Sequence, residues 1–131
     1  METKYPHRVQ PIIIEKIPYI KCLHIKRNCH VVFDHMRGWF GIASLESLSQ
    51  GKPVIAGLDD WNVQCIKIFT GASELPWVIA RNQIQHEETL ETLINDSQMR
   101  NNLGKQSRLF METCWTEQHV LKVLFDVYET L

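Results

Sequence analysis

At 131 residues the chain is long enough to bury one core and short enough for a single domain over residues 1–131. Hydrophobic residues at 44%, charged residues at 22%, six Gly and five Pro exclude a disordered or fibrous chain. The formal charge of −1 hides six Lys/Arg against two acids in residues 1–30 and eight against thirteen in the rest, but Lys26-Arg27 is the only adjacent basic pair, too sparse for nucleic-acid binding.

Residues 1–11, with Pro6 and Pro11, read as a loose arm, and the β-branched run Ile12-Ile13-Ile14 as a short edge strand. Pro18 suits the first turn of a helix over Tyr19–Asn28. His30–Phe33 is apolar and β-prone, as in a buried parallel strand, and ends at Asp34. Gly41–Gln50 places Ile42, Leu45, Leu48 and Ser49 at helical spacing, with Gly51 as its stop. Pro53–Gly57 is the next strand. Asp59 or Asp60 caps a helix over Trp61–Phe69 that turns Val63 and Ile66 inward, with Cys65 and Phe69 as further candidates, and Gly71 closes it.

Trp77–Ala80 is the third predicted strand and His86–Asn95 a helix carrying Leu90, Leu93 and Ile94. Asp96 caps a helix running towards Phe110, and Thr116 caps a last helix on which Val120, Leu124, Val127 and Leu131 share a face. That stripe, with Met99, Leu103 and Phe110, is expected to be core or interface. Strands alternating with helices predict an α/β, Rossmann-like parallel sheet with flanking helices and a helical C-terminus, whose ligand sits beyond the carboxyl ends of the strands.

No apolar run approaches the roughly 18 residues of a membrane span, and the polar start Met1-Glu2-Thr3-Lys4 lacks a signal's apolar region, so a cytoplasmic chain is expected. Cys22, Cys29, Cys65 and Cys114 form no C-x-x-C pair and are expected as free thiols. Cys22, His24, Cys29, His30 and His35 do not match zinc spacings, so no metal is expected.

The loop Gly38-Trp39-Phe40-Gly41 lies between the Val31–Phe33 strand and the helix that follows, where this fold places a ligand. Gly41 permits close backbone approach, and the free N–H groups of Ile42 and Ala43 at the positive helix end suit a phosphate. One turn further on, Glu46 is in reach of a sugar or ribose hydroxyl. Trp39 is the better stacking candidate, because Phe40 suits the core. Arg37, His35 at the strand's carboxyl end and Asp59 are candidates for phosphate or sugar contacts.

The segment GWFGIASLESLSQGKPVIAG resembles the donor motif of retaining GT-B glycosyltransferases, the large group 1 (family 4) type that includes sucrose and glycogen synthases. Phe40-Gly41, Glu46, Gly51, Pro53, Val54, Ile55 and Ala56 fall on its register E-G-F-G-x-x-x-x-E-A-x-x-x-G-x-P-V-I-A. Val31–Asp34 falls on the family's preceding strand, and Trp115–Leu131 on its closing F-x-W…Y-x-x-L helix. The resemblance implies the C-terminal, donor-binding half of a hexosyltransferase-type enzyme. Such an enzyme moves a sugar from a nucleotide-diphosphate carrier to a hydroxyl acceptor, without cofactor, beside a separate N-terminal acceptor domain.

It also implies donor binding by Gly38, Trp39, Phe40, Gly41, Ile42 and Ala43, and makes Glu46 both the ribose ligand and the catalytic-site acid. The first acid of the family's E-x7-E pair falls on Gly38, so that carboxylate is absent, and Asp59 or Asp60 is the replacement at hand. This segment alone is expected to bind nucleotide weakly and to transfer nothing. The alternative reading is a non-catalytic GT-B-like binding or oligomerisation module, homo-oligomeric through an exposed inter-domain surface.

Overall fold

Three of the apolar runs pair as strands in the computed structural model, which describes residues 4–131. They are β1 (Val32–Phe33), β2 (Val54–Ala56) and β3 (Val78–Ile79), parallel and in the order β1-β2-β3, with Val32 opposite Val54 and Ile55 opposite Val78. The helices are α1 (Tyr19–Asn28), α2 (Ile42–Ser49), α3 (Asp60–Thr70), α4 (Gln83–Asn95), α5 (Ser97–Thr113) and α6 (Glu117–Thr130). The result is an α/β fold of Rossmann-like form with a helical C-terminus.

The central strand is buried at every position, because both faces of the sheet are covered. Val54 and Ala56 turn to one side, where Leu48 of α2, Ile66 of α3, Phe110 of α5 and Trp77 close the larger core. Ile55 turns to the other side, against Ala80, Leu93 of α4 and Leu103 of α5. This alternation is the two-residue period of a strand. A β-carbon on Gly104 would strike the carbonyl oxygen of Gly51, so the glycine lets α5 lie directly against the end of α2.

Four helices take side-chain caps. Asp59, Asn82, Asp96 and Thr116 accept the N–H groups of Asn62, Gln85, Met99 and His119. The Asn82 cap starts α4 three residues before the predicted His86, since Asn82 caps as well as Asp does. Gly51 and Gly71 end α2 and α3 with φ of 71° and 72°, as predicted.

Two expectations are corrected. Ile12–Ile14 is not a strand: it finds no neighbouring strand to bond, and Ile13 is 82% exposed. The arm is not loose over its described part, since the Tyr5 phenol donates to Glu91 at 2.6 Å and the Arg8 guanidinium to Asn95 at 3.0 Å; residues 1–3 lie outside the described residues. Of the residues expected as core or interface, Leu103 and Phe110 pack in the core, whereas Met99, Leu124, Val127 and Leu131 are exposed. Among the described residues, no helix is long and apolar enough to cross a membrane.

Candidate functional site

At the carboxyl ends of the strands, three turns come together. Gly57 N–H donates to the His35 carbonyl at 2.7 Å, Asp59 N–H to the Gly38 carbonyl at 2.8 Å, and Gly38 pairs with Leu58 in a parallel bridge. The Gly38-Trp39-Phe40-Gly41 loop is thereby fastened to the end of β2. From β3, the Arg81 guanidinium donates to the Leu58 carbonyl at 2.8 Å and to Asp60 at 2.7 Å, which ties the third turn to the second.

The first turn of α2 leaves N–H groups without intrahelical partners. Asp34, at the end of β1, takes up part of this capacity: its Oδ2 accepts from the Gly41 N–H at 2.8 Å and from the Ser44 hydroxyl at 2.6 Å. The N–H groups of Ile42 and Ala43 have no acceptor among the described residues. A phosphate there would meet two free N–H groups and the positive helix end, with a nearly buried carboxylate as neighbour.

Glu46 lies one turn into α2, on the side of Ile42 and Ala43 by its i+4 and i+3 spacing. Its Oε2 is 2.5 Å from Lys26 Nζ of α1, and the two side chains are 14% and 7% exposed. A hydrogen bond to Glu46 also raises the pKa of the Tyr19 phenol above its usual value.

Gly38 has φ of +96°, a left-handed conformation that side chains strain against. A β-carbon built on it would stand 2.8 Å from Asp59 Oδ2. Asp59 Oδ1 accepts from both the Asn62 N–H and the Asn62 amide, while Oδ2 has no donor among the described residues. The Asn62 backbone bond, then its side-chain bond, then the Arg81 charge hold the Asp59 carboxyl below the usual carboxylate range. An ionised, half-engaged acid therefore sits beside Gly38.

Trp39 is half exposed and meets the His35 ring edge-on at 5.4 Å between centroids. His35 Nδ1 accepts from the Arg37 N–H at 3.3 Å, and the exposed Arg37 guanidinium has no partner among the described residues. Phe40, predicted among the donor-binding residues, packs instead on Trp77 and Trp115 at 5.4 and 5.6 Å and supports the loop from beneath. Gly38, Trp39, Gly41, Ile42, Ala43, Arg37, His35 and Asp59 thus share one end of the sheet, and Glu46 stands one turn down α2.

Three participants escape the sequence reading. Lys26 is a cation on the inward side of α1, and its signal is its spacing from Cys22 and Leu23. Asp34 accepts donors from Gly41 and Ser44 at the start of a helix that begins eight residues later, a contact without a local signature. Arg81 directly follows the third predicted strand, where the topology gathers ligand groups, and that position was its signal.

Comparison with protein-family models, with curated proteins and with solved structures gave no match. Among the described residues, no three His, Cys, Asp or Glu come together as a metal centre, and the four cysteines are unpaired.

Proposed function

We propose that this end of the sheet is the donor site of a retaining GT-B glycosyltransferase. It takes the diphosphate of a nucleotide sugar on α2 and directs the sugar towards the Asp59 turn. One observation carries the reading: two unpaired N–H groups, at Ile42 and Ala43, open a helix at the carboxyl end of a parallel strand, with an acid one turn further along. The resemblance of Gly38–Ala56 to the family's donor motif supports that placement at Phe40-Gly41, Glu46, Gly51 and Pro53–Ala56.

In this reaction the nucleoside diphosphate leaves as the sugar passes to a hydroxyl acceptor. The chain's contribution is to position the donor and to stabilise charge on the departing diphosphate through N–H groups. Among the described residues, Arg37 is the free cation nearest to them in sequence. Asp59 takes the place of the carboxylate that the motif puts at residue 38, and Glu46 addresses the ribose. The acceptor is bound outside the cradle described here, so the reading is tested through donor binding.

Calorimetry with UDP-, GDP- and ADP-sugars tests the proposal. Weak saturable binding of one of them is expected, and no heat from any of them at millimolar concentration counts against it.

The exposed side of α6 favours a second reading, a non-catalytic association module. Leu121, Leu124, Phe125 and Tyr128 are all exposed there, and an apolar helix face of this kind tends to drive association. Light scattering separates the readings: a monomer over a wide concentration range opposes the module, and an assembly that binds no nucleotide sugar supports it.

A further inference from the structure

We infer that Lys26 is a positioning residue for ribose recognition, holding the Glu46 carboxylate in place and oriented towards the nucleotide; this rests on the donor-site reading above. Both side chains are largely out of water, at 7% and 14% exposure, with Nζ and Oε2 2.5 Å apart. Well-packed apolar residues generally stabilise such a place as well as a buried ion pair does, or better. Stability alone therefore does not explain why α1 sends a lysine here. What the pair supplies and an apolar cluster does not is a largely buried carboxylate held in one rotamer by the lysine beside it.

The placement suits that use. Glu46 follows Ile42 and Ala43 by four and three residues, which puts it on their side of α2 and about 5.4 Å along the axis. A diphosphate seated on those N–H groups brings the sugar attached to it to this depth. The carboxylate accepts hydrogen bonds only, so it selects a ligand that offers hydroxyls, and in a nucleoside diphosphate the ribose diol is the group that offers them. Lys26 never touches the ligand: it acts through Glu46, fixing its direction.

The test uses the full chain and calorimetry with UDP, ADP and GDP, each beside its 2′,3′-dideoxy form. Wild type is expected to prefer the ribose form of its nucleotide by about 10- to 100-fold, the size of one charge-assisted hydrogen bond. Lys26→Arg retains that preference, whereas Lys26→Gln and Glu46→Gln bring it to about twofold or less. Lys26→Met, which keeps the length of the side chain and removes its donor, is the second variant if Lys26→Gln does not fold, and it is likewise expected at about twofold or less, whereas the wild-type preference in it overturns the inference.

A purely structural lysine would lower the melting temperature and leave the ribose preference intact. A folded Lys26→Gln variant with the wild-type preference overturns the inference, as does a wild type that binds both forms equally. In both cases the donor-site reading stands. If wild type binds none of the diphosphates, that reading falls and the inference falls with it.

Discussion

Asp59 occupies the space that a side chain at residue 38 would enter: a β-carbon on Gly38 would lie 2.8 Å from Asp59 Oδ2. The two positions are therefore coupled, and a carboxylate reaches this corner from one of them only. The φ of +96° strengthens the exclusion, since a non-glycine residue held there costs on the order of 1–3 kcal/mol.

Gly38→Ala should destabilise the protein by about that amount in chemical denaturation. Asp59→Ala should also destabilise it, through loss of the α3 cap. The double variant should be less destabilised than the sum, because alanine at position 59 no longer opposes the new β-carbon. Strict additivity would show that the two residues do not share space.

Asp34 presents the opposite trade. Its carboxylate accepts two hydrogen bonds at the start of α2 and repels any anion placed on Ile42 and Ala43. Two unit charges about 4 Å apart interact by about 4 kcal/mol at an effective dielectric of 20, enough to govern phosphate affinity. Asp34→Asn keeps an acceptor and removes the charge. Its affinity for a nucleoside diphosphate should rise by about tenfold or more, while stability falls by about 1–2 kcal/mol with the weaker hydrogen bonds. Tighter binding with lower stability is the signature to look for in calorimetry and thermal melting, and weaker binding would place the phosphate elsewhere.

Much of this frame is legible in the residues themselves. Val31–Phe33, Pro53–Gly57 and Trp77–Ala80 are apolar runs between helical segments, and they are the sheet. Asp59, Asp96 and Thr116 are local caps, readable because the donors they serve lie three residues away. The Lys26–Glu46 pair spans twenty residues and the Asp34 cap reaches across a loop, so neither leaves a periodic trace. Ile12–Ile14 misleads for the reverse reason: β-propensity describes a side chain's fit to a sheet and supplies no partner strand.

His86 gives the fold a pH dependence. Its ring lies 4.3 Å from that of Phe33, and burial lowers its pKa below the ordinary 6.5, only partly opposed by the Glu87 charge. Protons then bind the unfolded chain more readily than the folded one. Its contribution to stability is complete above 6.5 and declines as the pH falls through 6.5 towards the folded value. The melting temperature of the wild type should fall between about pH 7.5 and about pH 5.5, and His86→Leu should remove part of that fall. Identical slopes for the two proteins would contradict this.

The donor-site account is tested most directly by following the backbone amides of Ile42 and Ala43 by NMR while UDP-, GDP- and ADP-sugars are titrated in. The account predicts that one of these ligands shifts both resonances along a saturable curve, with Glu46 moving in step and the exposed face of α6 unaffected. Resonances of Ile42 and Ala43 that stay fixed at millimolar concentrations of all three ligands would contradict it.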